Sequence, residues 1–257
     1  MRCAFFWISF WCFIFIICRL GYFIRDSWVS NVDVIPTRVG SIDSLLDGGF
    51  KAGQLYFLYG EEKTGKTSLV LTVCASAIRE GLKPFFIDCS ERLHPGRVSQ
   101  VLQSWLVDLS RLSVKAVHSF LEQTRLILNL YNLQKIFDVI VLDDFTYQHR
   151  LELSRNVKMD LSIYKKLALQ AAMLSEIAAS RKAVVIIVGQ VHDMPEQEEG
   201  RPVAYRILSY WAKWVLKLQA GSRQYRELVV EKPEKKGPGY FNLSEYGVSE
   251  PDRLKVK

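Results

Sequence analysis

Short runs of consecutive apolar residues recur along the chain, and each run stops at or beside a glycine or a polar side chain. These runs occupy positions 55–59, 84–88, 138–144 and 183–190. Continuous apolar runs of this length are typical of strands that are buried on both faces of a parallel sheet. The pattern therefore predicts a sheet built around four buried strands.

The segments between these runs carry apolar residues at helical spacing, which predicts helices over 68–79, 95–109, 119–134 and 160–180. The last of these helices has one apolar stripe, which we interpret as core that packs on the sheet. Its members are Leu161, Tyr164, Leu167, Ala171, Leu174 and Ile177. Strands that alternate with helices in this way predict an α/β fold, a mainly parallel sheet flanked by helices.

Shorter elements complete the pattern at both ends. A short helix closed by paired glycines is predicted within 37–50, and a short strand is predicted at 114–117. After position 190, three strand-like runs lie around turns, at 212–218, 225–231 and 239–243. These runs predict an antiparallel extension at the C-terminal side of the sheet.

The N-terminal segment differs from the rest of the chain, since about sixteen uncharged residues run from Cys3 to Cys18. As a helix this run would reach about 24 Å across a hydrocarbon core that is about 30 Å thick. Three interpretations stay open: a start-site artefact with the true start near 29–34, a membrane anchor, or a buried apolar arm. The predicted organisation is an apolar segment 1–28, a main domain 34–248 and a polar tail 249–257.

Charge and cysteine content narrow the function classes only a little. The formal net charge of +7 over 257 residues suits a polyanionic partner such as DNA but does not require one. The five cysteines are odd in number, contain no C-x-x-C pair, and three of them lie in the apolar N-terminal segment. A disulfide framework or a zinc site is therefore not expected.

The junction that follows the first buried strand carries the motif G-x-x-x-x-G-K-[ST]. Its glycines let the backbone curl so that N–H groups point inward, and the next helix adds partial positive charge. Lys66 would reach the β- and γ-phosphates of a nucleotide, and the Thr67 hydroxyl would hold Mg²⁺. The alternative is a glycine-containing turn with an exposed lysine. The candidate nucleotide-binding residues are Gly60, Glu61, Glu62, Lys63, Thr64, Gly65, Lys66, Thr67 and Ser68.

The third buried strand ends in carboxylates. In a phosphate-loop ATPase the acid at this place coordinates Mg²⁺, so Asp143 and Thr67 are the predicted metal ligands. Ligands of open α/β sheets bind beyond the carboxyl ends of the strands, where Lys66, the segment 88–91 and Gln190 also lie. We therefore expect ATP and Mg²⁺ at this edge of the sheet, in a protein of the cytoplasm.

The order of these pieces resembles the RecA/RadA recombinase ATPase core, and most closely the short archaeal RadA paralogues of the RadB type. The resemblance covers about residues 34–248 and implies a RecA-like P-loop NTPase core. Besides the phosphate loop and the Asp143 strand, it rests on the stretches 40–49, 188–191, 201–202, 210–213 and 244–248.

The resemblance also implies three catalytic candidates. Gln190 matches a glutamine that senses the γ-phosphate, with a simple strand-end cap as the alternative. Lys232 matches a basic residue directed at a neighbouring subunit's nucleotide, although Glu234 stands where an arginine is expected. The water-activating glutamate of the family falls at Ser90, and Glu91 lies one position late, so hydrolysis is expected to be slow.

In the resembled family, the segments after the Asp143 strand and after Gln190 face DNA. The candidate DNA-binding residues in these segments are Arg150, Arg155, Lys158, Arg201 and Arg206. Rings at Tyr147, His149 and Tyr205 offer surfaces on which bases stack. The alternative is a set of ordinary solvated loop charges, which the acidic residues within 196–199 favour.

Two functional hypotheses follow. In the first, the protein is an accessory factor in homologous recombination and DNA repair. It would bind DNA, single-stranded DNA in particular, act as a weak DNA-dependent ATPase, and work with the main RadA recombinase or other repair proteins. No helix-hairpin-helix domain or Phe-x-x-Ala polymerisation motif is recognisable, which favours an accessory role. In the second, it is a KaiC-like regulatory ATPase with protein partners. A membrane partner is expected only if 1–28 is inserted.

Overall fold

A computed structural model describes the chain over residues 32–133, 137–154, 156–191, 201–221 and 225–251. The apolar segment 1–28, on which three interpretations were left open, lies outside these ranges, as does most of the polar tail. Within the described ranges, no helix combines the length and the apolar character needed to cross a membrane.

The strands of the described residues form two sheets. A small antiparallel sheet pairs β1 (Val34–Ile35) with β2 (Phe50–Lys51). The strands of the large sheet are β3 (Gln54–Gly60), β4 (Pro84–Asp88), β5 (Ser113–Ala116), β6 (Val139–Asp143), β7 (Val184–Gln190), β8 (Trp214–Ala220), β9 (Tyr225–Lys232), β10 (Lys236–Ser244) and β11 (Gly247–Ser249). Their order across the sheet is β11-β10-β9-β8-β3-β7-β6-β4-β5.

Helices cover both faces of this sheet. They are α1 (Gly40–Leu45), α2 (Lys66–Arg79), α3 (Pro95–Ser104), α4 (Phe120–Asn132), α5 (Tyr147–Glu152), α6 (Val157–Arg181) and α7 (Tyr205–Trp211), with a 3₁₀ turn at Leu109–Arg111. Helix α2 directly follows β3, and α6 connects the region after β6 to β7.

The predicted fold class is confirmed. Strands β8, β3, β7, β6, β4 and β5 are parallel, and β9, β10 and β11 add antiparallel neighbours at one edge. The run predicted at 212–218 forms β8, which pairs with β9 in antiparallel as predicted but also with β3 in parallel. Strands β7 and β8 lie on either side of β3 and run parallel to it. The chain that connects them, which includes α7, therefore crosses from one side of β3 to the other.

Alternate residues of the central strands enter two different cores, one on each face of the sheet. In β3, Leu55, Phe57 and Tyr59 pack with α4 and α6, whereas Tyr56 and Leu58 pack with α1, α2 and α3. All five side chains are at most 2% exposed. Burial on both faces explains why the sequences of these strands are continuous apolar runs.

Helix α3 ends earlier than the predicted range 95–109. Leu106 has a left-handed φ of 55°, and the N–H groups of Leu106 and Val107 donate to the carbonyl oxygens of Gln103 (2.9 Å) and Leu102 (3.3 Å). This pair of bonds is the Schellman motif, which usually has glycine at the left-handed position. Apolar residues continue at helical spacing beyond Leu106, so the sequence did not indicate where the helix ends.

The apolar stripe of α6 is mostly core, as predicted. Leu167, Ala171, Leu174 and Ile177 are at most 1% exposed, but Leu161 is 54% exposed, so its assignment to the stripe is wrong. A helix of 25 residues is about 37 Å long, whereas the seven-residue strand β7 spans about 23 Å. The helix is therefore longer than the strand that it covers.

Candidate nucleotide-binding site

The phosphate-loop motif forms the connection from β3 to α2, which is the strand–loop–helix context that its chemistry requires. Gly65 is the N-cap of α2 with a φ of 100°, and Lys63 has a φ of 61°. Thr64 Oγ1 donates to the Glu61 carbonyl oxygen at 2.9 Å, which closes the loop as a turn. Lys66 Nζ donates to the same oxygen at 2.5 Å, so its ammonium group folds over the loop backbone.

Two glycines of the motif are required by the packing of the loop. A Cβ atom at Gly60 would stand 2.1 Å from the carbonyl oxygen of Leu218 in β8, closer than any side chain tolerates. Gly65 has its left-handed backbone, and the Leu243 side chain of β10 would lie 3.2 Å from a Cβ there. The loop is thus held tightly between α2 and the C-terminal strands.

Thr67 and Asp143 are in direct contact, although 76 positions separate them in sequence. Thr67 Oγ1 donates to Oδ2 of Asp143 at 2.7 Å. Burial, together with the charges of Asp144 and Asp88, raises the pKa of Asp143 to about 6, although the Thr67 hydrogen bond and the Lys66 ammonium lower it. A bound divalent cation would favour the ionised carboxylate strongly.

A cavity of about 400 Å³ opens between the loop and the carboxyl ends of β4, β6 and β7. One side is lined by the loop and α2, through Glu62, Lys63, Gly65, Lys66, Thr67 and Ser68. The other side is lined by Ser90, Arg92, Asp143, Asp144 and Gln190, and Leu243 of β10 lines the cavity beside Gly65 of the loop. The structure therefore brings the phosphate-loop residues together with Asp143 and Gln190.

Gln190 lies in register with Gly60 at the end of β7. Its side chain lines the cavity, and the residue is only 9% exposed. Its amide makes no hydrogen bond to any residue that the structure describes, unlike a group that merely caps a strand. The amide is therefore available to hydrogen-bond with a ligand in the cavity.

The oxygen donors at the cavity fit Mg²⁺. This ion prefers hard oxygen ligands, and proteins usually hold it with one or two carboxylates together with substrate phosphates. The Thr67 hydroxyl and the Asp143 carboxylate are donors of this kind. In the part of the chain that the structure describes, no group of three or more His, Cys, Asp or Glu side chains could hold a metal ion. Phosphate oxygens would therefore have to complete the coordination.

Comparison with protein families decides where this site belongs. The Rad51 family model matches residues 29–251. This chain belongs to the Rad51 family. The resemblance inferred from the motifs is thereby confirmed. The Rad51/RecA family is one of nucleotide-binding ATPases, which implies ATP and Mg²⁺ as ligands.

Similar members of the family support the same assignment. The DNA repair and recombination protein RadB of Thermoplasma acidophilum is 30% identical over 222 residues, which cover 84% of this chain and 93% of that protein. RadB of Thermococcus gammatolerans is 30% identical over 226 residues, covering 84% of this chain and 99% of that protein. The crystal structure of the RadB recombinase superposes with a TM-score of 0.69 at 30% identity, covering 85% of this chain and 100% of that one.

Glu91 is placed away from the cavity of this Rad51-family domain. Its backbone is left-handed, with a φ of 59°, and its half-exposed carboxylate pairs with His118 Nδ1 at 2.9 Å. Ser90 lines the cavity instead. Because Glu91 lies one residue beyond Ser90, its side chain points away from the cavity and toward His118. The structure therefore does not support Glu91 as the catalytic base.

Lys232 is engaged within its own chain. Its Nζ donates to the carbonyl oxygens of Ala212 (2.7 Å), Ser209 (2.9 Å) and Tyr210 (3.4 Å). These carbonyl groups lie at the C-terminal end of α7, where a cation offsets the negative end of the helix dipole. This placement explains Lys232 as a helix cap, and its role at a neighbouring subunit's nucleotide stays a prediction.

Two predicted members of the DNA-facing segment point inward. Arg150 forms a bidentate ion pair with Asp144 at 3.0 and 3.1 Å, and these side chains are only 11% and 10% exposed. His149, predicted to offer a stacking surface, is fully buried between Phe120 and Tyr164. Helix α5 turns both side chains toward the core, so they do not belong to an exposed DNA surface.

The remaining candidates lie partly within the described residues. Those that are exposed to solvent are Lys158, Arg201 and Arg206. Arg155 and the segment 192–200 lie outside the described ranges. The Arg201 guanidinium lies 4.6 Å from the ring centre of Tyr205, whose hydroxyl donates to Glu231 at 2.8 Å. These two contacts tie the end of the second predicted DNA loop to the sheet.

Other residues of the site were missed by the sequence reasoning. Arg92 and Leu243 line the cavity. Arg97 donates to Ser68 Oγ and to the Ser244 carbonyl oxygen, both at 2.7 Å, and so links α2 to the C-terminal hairpin β10–β11. An arginine outside any motif looks like a solubilising charge in the sequence, and only the fold reveals its position.

Proposed function

We propose that this Rad51-family protein binds ATP and Mg²⁺ and acts as an accessory factor in homologous recombination and DNA repair. The observation that carries the proposal is the Thr67–Asp143 contact beneath the phosphate loop, within a domain whose relatives are named DNA repair and recombination proteins. Its partners would be DNA and the main recombinase or other repair proteins.

Each group at the loop has a stated role in nucleotide binding. The inward N–H groups and Lys66 would bind phosphate oxygens, and Thr67 and Asp143 would hold Mg²⁺. The ion would neutralise charge on the phosphates. Gln190 would contact the terminal phosphate and connect it to the segment that follows β7.

Slow hydrolysis is part of the proposal. Ser90 lines the cavity where a carboxylate base is expected, and its hydroxyl donates to Asp88 at 3.2 Å. A serine hydroxyl does not accept a proton from water near neutral pH, so general-base catalysis is weak. The nucleotide would then affect the protein mainly through its binding and not through its hydrolysis.

DNA binding would use the exposed basic residues at the ends of the two predicted loops, Lys158, Arg201 and Arg206. Cations that neutralise phosphates release counterions, so binding weakens as salt rises. For single strands the slope of log affinity against log salt is about −0.7 for each neutralised phosphate.

The test measures the affinity for fluorescent single-stranded DNA at several salt concentrations, with and without MgATP. Reversing Arg201 and Arg206 to Glu should weaken binding and flatten the slope by about 1.4. The matched control reverses Lys165 and Lys166, exposed residues of α6, and should change neither quantity appreciably.

Absence of salt-dependent binding at low ionic strength, with and without MgATP, would overturn the DNA role. Copurification with a protein partner in that case would support a KaiC-like regulatory ATPase instead. Equal loss in both double variants would mean that net charge alone, and not this surface, determines binding.

A further inference from the structure

We infer that Arg92 binds the γ-phosphate of the nucleotide and makes the site distinguish ATP from ADP. The inference rests on the proposed function, since it assumes that the cavity at the phosphate loop holds a nucleotide. It adds a specificity residue that lies outside the phosphate-loop motif.

The fold holds Arg92 at the cavity. The loop after β4 is organised by Asp88, whose carboxylate accepts from the N–H groups of Ser90 (3.1 Å) and Leu93 (2.8 Å). These two hydrogen bonds fix the backbone on both sides of Arg92. The Arg92 side chain then lines the same cavity as Lys66 and Asp143.

Its guanidinium is available to an anion. Among the residues that the structure describes, Arg92 has no hydrogen-bond or ion-pair partner, and its Cζ lies 5.4 Å from the centre of the Tyr147 ring. The neighbouring carboxylate of Asp144 does not pair with the Arg92 guanidinium, because Arg150 already forms a bidentate ion pair with that carboxylate. A cavity-lining cation without an anionic partner is suited to bind a charged group of a ligand.

The position points to the terminal phosphate. Thr67 and Asp143 mark the side of the cavity where the metal and the outer phosphates lie. Arg92 belongs to the loop after β4, whose last residue Asp88 lies in register with Asp143 of β6. In contrast, Ser68 and Leu243 line the cavity beside α2 and β10.

The chemistry of the side chain fits this task. A guanidinium offers a planar fork that donates to two phosphate oxygens, and stacking on an aromatic ring restrains it before the ligand arrives. Tyr147 is such a ring. ADP has no phosphate at this end, so Arg92 would contribute to ATP binding and not to ADP binding.

The experiment measures the affinities for Mg-adenylyl imidodiphosphate, a non-hydrolysable ATP analogue, and for MgADP by calorimetry. Arg92→Ala should lower the affinity for the ATP analogue roughly tenfold or more and leave the affinity for ADP within about twofold. Arg92→Lys keeps the charge without the fork and should lose less. Arg125→Ala, at an exposed arginine of α4 outside the cavity lining, should bind both ligands like the wild type.

ADP binding by each variant serves as the check that it has folded. Tyr147→Leu should produce a smaller selective loss for the ATP analogue, and Tyr147→Phe should not. An unchanged ratio of ATP-analogue to ADP affinity in Arg92→Ala would overturn the inference while leaving the proposed function intact. Failure of the wild-type protein to bind either nucleotide would overturn both.

Discussion

Ser90 and its neighbours determine what the site can do with a nucleotide once it is bound. Ser90 lines the cavity and its hydroxyl donates to Asp88, the carboxylate of Glu91 is paired with His118, and Asp88 holds the loop. Of the carboxylates at the end of β6, Asp143 accepts from Thr67 and Asp144 pairs with Arg150, while Glu62 lines the cavity from the phosphate loop. The carboxylates at the ends of β4 and β6 are therefore all engaged, and none of them is free to act as a base at this wall of the cavity.

Replacing Ser90 with Glu should raise ATP turnover on the order of 10²-fold, because it places a carboxylate where a water-activating base can act. Phosphate release in the presence of Mg²⁺ and single-stranded DNA measures this. Glu91→Gln is the matched control and should leave turnover unchanged. A loss of turnover in Glu91→Gln, with no gain in Ser90→Glu, would contradict our assignment of these two positions.

Helix α5 packs into the core through a histidine in its first turn. His149 is fully buried, with its ring edge-on to Phe120 of α4 and Tyr164 of α6, and neither ring nitrogen has a hydrogen-bond partner among the described residues. Burial, together with the Arg150 charge, lowers the pKa of His149 to about 4, although the Asp160 charge raises it. The packing of this helix therefore requires a neutral imidazole.

This packing predicts a pH-dependent stability. The unfolded chain binds a proton near pH 6.5 and the folded chain only near pH 4, so stability is full above pH 6.5 and falls as the pH falls toward 4. The loss amounts to about 3 kcal/mol between pH 7 and pH 4. Urea unfolding of His149→Phe should lack this component, since Phe keeps the ring contacts without a titrating group. The exposed His118→Asn should retain it, and parallel pH profiles for wild type and His149→Phe would refute the account.

The elements that the sequence predicts well are those with a long or continuous apolar signal. The four central strands and the long helices follow from burial on the two faces of one sheet. Helices α5 and α7 were not predicted, because six or seven residues show no helical period and their ends are fixed by distant partners. The phosphate loop is visible because its residues are contiguous. The ion pair of Arg150, the capping contacts of Lys232 and the place of Arg92 at the cavity are not visible in the sequence, since each depends on residues that only the fold brings together.

Across the whole molecule, the site joins strands from the middle of the sheet. The loop after β3, the end of β6 and the end of β7 each supply part of it, and the antiparallel strands close one side. A ligand that binds only this assembled arrangement stabilises the entire folded domain, because unfolding must release it.

MgATP should therefore raise the thermal unfolding temperature. At a free concentration about 100 times its Kd, the stabilisation is about 2.7 kcal/mol, or roughly 5–10 °C for a domain of this size. Lys66→Ala should lower affinity about tenfold or more and remove at least half of the stabilisation, because it deletes a cation aimed at the phosphates. Differential scanning fluorimetry measures the shift. Lys165→Ala should behave like the wild type, and a full shift in Lys66→Ala would argue against nucleotide at this loop.

The C-terminal hairpin β10–β11 forms a wall of the phosphate loop, through Leu243 beside Gly65 and through Arg97, which joins Ser68 to Ser244. A ribosome makes the loop roughly 180 residues before it makes this wall, an interval of about 10–40 s at usual elongation rates. A nascent chain thus carries an intact phosphate-loop motif long before it has a finished pocket. Nucleotide binding at the loop would then have to wait until this hairpin has been made, when Val248 donates its N–H to Thr72 and the hairpin packs on α2.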